Sequence, residues 1–380
     1  MKITEIKFPR MIMGPGSLSR LGAEAARTGQ RALLVAGKKW LRESGLLEKI
    51  VSDLRENGLE VHLFEGTEPN PKYDFIDRGG REARDRGCDL IIGIGGGSVM
   101  DASKGIALVA AQGGSIWDYV YYGPDRSRKP EKALKIILVP TTAATSSESN
   151  SSLVVSNPEK KQKMPVFGPP LLPTLSIVDP ELTLSLSPEL TALGAVDTLC
   201  HVIEPYLTSR EPQFLSDRIA TSLIETALIY SAVAVKKPDD IYARTQLSYA
   251  ASLALSPFPR AMREGGLRLH WIEHVLSGHY DSIPHARGLS LLLIPWLRRN
   301  IDSFRRRLED LSDAIFGRAD ADFFVEKLEE WLNSSGLTGH LRDFGVREED
   351  LGIMASDVEE LYRWGGGNGT EALEVLREAF

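Results

Sequence analysis

The sequence predicts two domains of different class: an α/β domain with a mostly parallel sheet, then an all-α domain. Two observations predict this. In the first half, short runs that are apolar throughout alternate with stretches of helical periodicity, the pattern of strands covered on both faces. After about residue 180 the periodicity is helical as far as Phe380, with no convincing strand. A chain of 380 residues suits two domains, or three. The expected boundaries are 1–180 and 181–380.

Each element follows from local chemistry. Residues 3–8 alternate polar and apolar, as a strand does. Residues 31–36 form a buried strand closed by Gly37. Residues 41–57 have helical spacing, and Asn57-Gly58 is a stop signal. A strand over 60–64 precedes a polar helix from about Asp74 to Asp85. Residues 89–94 make the strongest buried strand, a helix opens after Ser98, and 135–140 is another strand. Ser187-Pro188-Glu189 starts a helix, with a capping hydroxyl, a proline at the first position and an acid in the first turn. Gly365-Gly366-Gly367-Asn368-Gly369 reads as a loop between two helices.

Composition excludes several classes. The net charge of -7 argues against a general nucleic-acid or anionic-membrane binder. Two cysteines, Cys88 and Cys200, exclude a disulfide framework and CxxC zinc sites. Apolar runs fall short of the roughly 18 residues that span a bilayer. The N-terminus lacks the apolar core of a signal peptide, so a cytoplasmic protein is expected.

Two loops that follow strands carry ligand-binding chemistry. In Ile94-Gly95-Gly96-Gly97-Ser98 the glycines let the backbone approach a diphosphate, and N–H groups at the helix start bind its oxygens. The spacing matches neither a Walker A motif nor a regular GxGxxG. A lone glycine run would mean no more than a tight turn, but Asp101 and Lys104 lie just beyond. The second loop, residues 140–150, is dense in hydroxyls, among them Thr141, Thr142, Thr145 and Ser147. It suits phosphate, ribose or a nicotinamide amide, or else is a solvated loop. Together the loops favour a dinucleotide site.

Five of the seven histidines lie between 201 and 285. Asp197 and His201 are four apart, as are His270 and His274, so each pair shares a helix face. His285 follows a turn at Ser282-Ile283-Pro284. One such pair is commonly a plain helix salt bridge. Three imidazoles and a carboxylate, however, suit a four-ligand site for Fe²⁺ or Zn²⁺. The second domain is therefore expected to bind metal. His62, His279 and His340 read as ordinary polar residues.

These motifs, in this order, resemble the iron-containing (group III) alcohol dehydrogenases, including the lactaldehyde reductase, propanediol dehydrogenase and butanol dehydrogenase types. The resemblance rests on Gly14-Pro15-Gly16, Glu68-Pro69-Asn70-Pro71 and the run from Gly95 to Lys104, similar to a GGGSxxDxxK signature. It rests also on Asp179-Pro180-Glu181, on Asp197-Thr198-Leu199-Cys200-His201 and on the segment from His270 to Pro284-His285. It implies Asp197, His201, His270 and His285 as metal ligands, with His274 as a catalytic histidine near the nicotinamide. It places Gly37, Lys38, Lys39, Asn70, Gly95, Gly96, Gly97, Ser98, Asp101, Thr141, Thr142, Thr145, Ser147 and Lys163 at the cofactor. The implied reaction is reversible hydride transfer between NAD(P)H and a small aliphatic aldehyde or primary alcohol. Members commonly form dimers through their N-terminal strands, so a homo-oligomer is expected.

Four departures stand out. His270 and His285 are one residue further apart than is usual in the family. Ala286 follows His285 where glycine is common. Ala144 and Ser146 replace glycines. Pro205 is expected to kink or end the helix of the first ligand pair. Gly37 stands where NAD-preferring members often carry an aspartate, and Lys38 and Lys39 follow it. NADP(H) is therefore favoured over NAD(H). Two other readings remain open: a lyase of the dehydroquinate-synthase type, which would carry a Glu-His-His metal set and a basic phosphate pocket, and a non-catalytic nucleotide-binding protein.

Overall fold

A computed structural model describes residues 6–124, 126–209, 211–260 and 264–380. It divides into two compact units. One comprises Lys7–Glu159 and Lys163–Ser185; the other comprises Leu186–Phe380 with Lys160–Gln162 and Ile6.

The α/β unit holds a sheet of six strands: β1 (Arg10–Met13), β2 (Arg31–Gly37), β3 (Glu60–Thr67), β4 (Leu90–Gly95), β5 (Lys135–Pro140) and, after a separate two-stranded β6 (Ser152–Asn157) and β7 (Gln162–Phe167), β8 (Leu175–Val178). All pairings in the large sheet are parallel, in the order β1-β8-β5-β4-β2-β3. The chain runs from β2 outward to β3, then returns to build β4 and β5 on the other side of β2. The strand order thus reverses between β2 and β4, where open α/β sheets bind ligands at the carboxyl ends of their strands. Gly37 and Gly95 end the two strands that flank this point.

The helices of this unit are α1 (Leu21–Thr28), α2 (Trp40–Glu43), α3 (Leu46–Glu56), α4 (Tyr73–Asp85) and α5 (Gly97–Gln112). Leu21, Ala25, Ile50 and Leu54 of α1 and α3 pack with Leu34, Ile92 and Ile137 of the sheet. The single helix expected over 41–57 is two helices. Gly45 takes φ 69 between them, a left-handed turn that breaks the hydrogen-bond ladder.

The second unit is helical among the described residues, apart from Gln162 of β7. Its helices are α6 (Pro188–Thr208), α7 (Phe214–Lys236), α8 (Ile241–Ala254), α9 (Pro257–Arg260), α10 (Arg268–His279), α11 (His285–Arg299), α12 (Ile301–Phe316), α13 (Ala321–Ser334), α14 (Leu351–Tyr362) and α15 (Gly369–Ala379). The Ser187 hydroxyl accepts a hydrogen bond from the Leu190 N–H, as its capping role requires. Pro205 does not end α6, which runs three residues beyond it to Thr208. From Thr191 to Leu207 the helix is buried and held by its neighbours, so a proline that would stop an isolated helix is carried through.

Of the strand expected over 3–8, residues 3–5 lie outside the described residues, and the described Ile6, Lys7 and Phe8 carry no regular structure. The glycine-rich stretch is a loop between two helices, as expected: residues 366–368 link the 3₁₀ turn that closes at Gly365 to α15, which opens at Gly369. The 23-residue α7 is, by length and mean composition alone, apolar enough to cross a membrane, although polar residues interrupt it throughout and its uninterrupted apolar runs are short, as expected. Its buried residues Ser216, Ala220, Leu223, Ala227, Ser231 and Ala234 recur every three or four positions, the face of a helix packed in a bundle.

Candidate active site

In the α/β unit, β4 and β5 lie side by side with Gly95 opposite Pro140, and the Thr141 N–H donates to the Gly95 carbonyl at 3.0 Å. The glycine-rich turn and the hydroxyl loop are therefore neighbours. Gly96 is the N-cap of α5 and no side chain caps that helix, which leaves its first-turn N–H groups suited to an anion. Gly96, Gly97, Ser98, Thr142 and Thr145 are the partly exposed residues of this rim. A Cβ at Gly97 would sit 2.3 Å from Thr145 Cγ2, so glycine is required for the two loops to meet, whatever ligand they hold.

Other residues expected at the cofactor act on the protein itself. Asp101 accepts from the Ser147 hydroxyl at 2.7 Å and from the Val154 N–H at 2.9 Å. Lys104, fully buried, donates to the Asn150 carbonyl at 2.9 Å, to the Asn150 side chain at 3.1 Å and to the Ser152 carbonyl at 2.7 Å. Burial pushes its pKa down to about 8, with Asp101 and Glu148 opposing. Asp101, Lys104 and Ser147 thus fasten the hydroxyl loop to α5. Lys163 is buried within electrostatic range of Asp101. Asn70 is buried with φ 52. Ser146, where the family resemblance has glycine, takes φ 54 at a cost of about 1 kcal/mol to a residue with a Cβ. Gly37 has room: an added Cβ would meet nothing closer than 3.9 Å. Lys38 and Lys39 are exposed, and Lys38 is ion-paired to Glu68.

In the helical unit, α6 presents Asp197 and His201 on one face, α10 presents His270, and His285 is the first residue of α11. Asp197 Oδ1 lies 3.3 Å from His201 Nδ1, 3.7 Å from His270 Nε2 and 3.6 Å from His285 Nε2. Donors placed tetrahedrally at metal-ligand distance are about 3.4 Å apart. Asp197 Oδ1, His201 Nδ1 and His270 Nε2 are buried and make no hydrogen bond. Orphaned polar atoms of this kind are costly unless something coordinates them. Asp197, His201 and His270 lie close enough together to hold a divalent ion; His285 Nε2 is 3.6 Å from Asp197 Oδ1, but His285 groups with Glu273 and His274.

The histidines are aimed by two carboxylates that sequence reasoning missed. His270 Nδ1 is hydrogen-bonded to Glu204 Oε1, and His285 Nδ1 to Glu273 Oε2. Each bond leaves the other ring nitrogen directed at the shared centre, the usual support of a metal-bound imidazole. Glu204 Oε2 also accepts from the N–H groups of Leu269 (2.7 Å) and His270 (3.2 Å) at the start of α10. Glu273, His274 and His285 form a second group of suitable donors, but Glu273 is already engaged by His285 and Ser277, so it orients rather than ligates.

Electrostatics agree. Burial alone raises the Asp197 pKa, but the neighbouring imidazoles of His201, His270 and His285 hold it below the usual carboxylate range. Burial pushes His201 down to about 3, against the pull of Asp197. Burial also depresses His270, yet Glu204 and Asp197 bring it up to about 9, so metal entry must release its proton. His274 lies beside the ligands, buried, with its ring 5.6 Å from that of His285.

A parallel sheet with a glycine-rich strand end, and in a separate helical unit an Asp/His cluster fit for a divalent ion, are the features of a metal-dependent, dinucleotide-linked oxidoreductase. Residues 9–180 match the iron-containing alcohol dehydrogenase family, and residues 191–361 match the C-terminal family of the Fe-containing alcohol dehydrogenases. The chain is 30% identical to the NADH-dependent butanol dehydrogenase B of Clostridium acetobutylicum, over 97% of each chain. It is 32% identical to the 1,3-propanediol dehydrogenase of Klebsiella pneumoniae, over 97% of this chain and 96% of that one. Its fold matches the crystal structure of the NADH-dependent butanol dehydrogenase A of Thermotoga maritima with a TM-score of 0.92, at 28% identity, covering 100% of this chain and 98% of the other. The chain belongs to the iron-containing alcohol dehydrogenase family. It is an NAD(P)-linked, metal-dependent alcohol dehydrogenase or aldehyde reductase. The lyase and non-catalytic readings are set aside.

Proposed function

We propose that the chain interconverts small aliphatic aldehydes and primary alcohols, with Fe²⁺ or Zn²⁺ held by Asp197, His201, His270 and His285. The observation that carries this is the set of orphaned donors around Asp197 Oδ1, braced by Glu204 and Glu273. The names of the relatives, butanol and 1,3-propanediol dehydrogenases, support the substrate class. A divalent ion in this site supplies a Lewis acid for the carbonyl oxygen, and a nicotinamide supplies the hydride. The chain's residues do the rest. Glu204 and Glu273 aim the imidazoles, the α5 N-terminus receives phosphate, and His274 moves a proton.

The test is NADH and NADPH oxidation with butanal, after metal stripping and separate reloading with Fe²⁺ and Zn²⁺. Turnover should require the ion. Stripped protein that works as fast as reloaded protein would remove the metal from the reading.

The cofactor preference rests on Gly37. The butanol dehydrogenases among the relatives are named as NADH-dependent and lend no support to a preference for NADPH, and Lys38 is paired with Glu68. The reading retained is that the space at Gly37 tolerates a 2′-phosphate. A carboxylate about 5 Å from that phosphate would cost about 2 kcal/mol or more. Gly37→Asp should therefore lower kcat/KM for NADPH more than about tenfold and leave that for NADH within about threefold. An equal loss with both cofactors would mean that the 2′-phosphate lies elsewhere.

A further inference from the structure

Tyr362 ends α14 and is fully buried. Its ring stacks on Trp271, with centroids 4.9 Å apart and planes at 8°. Trp271 follows the ligand His270 directly, and its indole N–H donates to the Gly365 carbonyl at 2.9 Å. The turn beyond Tyr362 is shaped around this pair. A Cβ at Gly365 would come 2.6 Å from Trp271 Nε1, and one at Gly367 would come 2.5 Å from the Val358 carbonyl oxygen. The tyrosine ring is therefore fixed from several sides, and its hydroxyl lies 3.4 Å from His274 Nδ1.

His274 has two nitrogens, and in the neutral ring one donates while the other accepts. A histidine that delivers a proton must keep that proton on the delivering nitrogen, and the partner of its other nitrogen decides this. We propose that Tyr362 is a positioning residue whose hydroxyl, held by the stack on Trp271, donates to Nδ1 of His274 and fixes that histidine in the Nε2–H tautomer used for proton transfer. This rests on the aldehyde–alcohol reading above.

Tyr362→Phe keeps the stack and removes only the hydroxyl. In the Zn²⁺-loaded protein, ¹⁵N shifts should show His274 as the Nε2–H tautomer, and Tyr362→Phe should turn this into a mixture of tautomers. With metal content unchanged, kcat for butanal should fall about tenfold while KM stays within about twofold. An unchanged tautomer and unchanged kcat would overturn the proposal, leaving the ring as packing alone. A loss of bound zinc would also overturn it, because Tyr362 would then act through the ligands. The nitrogen shifts need no turnover, so wild-type protein inactive on butanal would sink the substrate reading while the tautomer still decides this one.

Discussion

Asp197→Ala is expected to lower bound metal below about a tenth of an equivalent and to cut kcat/KM for the aldehyde by about 10³ or more. Asp197 is the one anion among the four donors, and the other three lie around its Oδ1 at 3.3 to 3.7 Å. Without it, three neutral imidazoles face a dication with no charge to offset its dehydration. Asp197→Asn separates geometry from charge, since the amide keeps an oxygen in place. It should retain more metal than the alanine variant and still lose most activity. Elemental analysis of the purified variants, beside steady-state rates, checks both statements. A full equivalent of metal and a normal rate in Asp197→Ala would mean that the centre lies elsewhere.

Glu204→Gln should weaken metal binding by about 10- to 100-fold, the usual cost of removing an orienting partner from a coordinated imidazole. The amide has the size of the carboxylate and still offers an oxygen to the N–H groups of Leu269 and His270. What it loses is the charge that, with Asp197, raises His270 against burial. Competition with a chromophoric chelator reads the affinity, and thermal unfolding reads the fold. Glu204→Ala should in addition lower the melting temperature, because buried N–H groups at the start of α10 would be orphaned at about 1–3 kcal/mol each. Equal metal affinity in wild type and Glu204→Gln would show that the charge on Glu204 is idle.

The contrast between Asp197 and Glu204 shows what a sequence makes legible. The ligands could be found because helix geometry places residues four apart on one face, and because histidines are scarce elsewhere in the chain. Glu204 shares the α6 face of Asp197 and His201, three residues beyond the histidine, but its role was not legible, because its contact with His270 spans 66 residues and nothing local names the partner. Glu273 carried a faint signal, an acid beside His274 and one turn before Ser277. The same division holds for the fold. Strands β2, β4 and β5 are apolar along their length and could be read directly. The pair β6 and β7 was missed because polar residues at the strand ends leave each only a short apolar stretch, and Pro165 interrupts the second strand. The four-residue β8 lies among prolines and is too short to show a period. Gly45 breaks a helix whose apolar spacing continues past it. Pro205 is the reverse case, a local stop signal overridden by burial.

The carboxylates Glu204 and Glu273 each belong to one helix and hold a histidine on the next, so the ion they help seat ties α6, α10 and α11 together. Metal binding is then part of the folding reaction of the helical unit. A cell's supply of iron or zinc during synthesis would set the fraction of chains that reach a protease-resistant form. Chains made in its absence would be cleared, and the amount of enzyme would track the ion it needs.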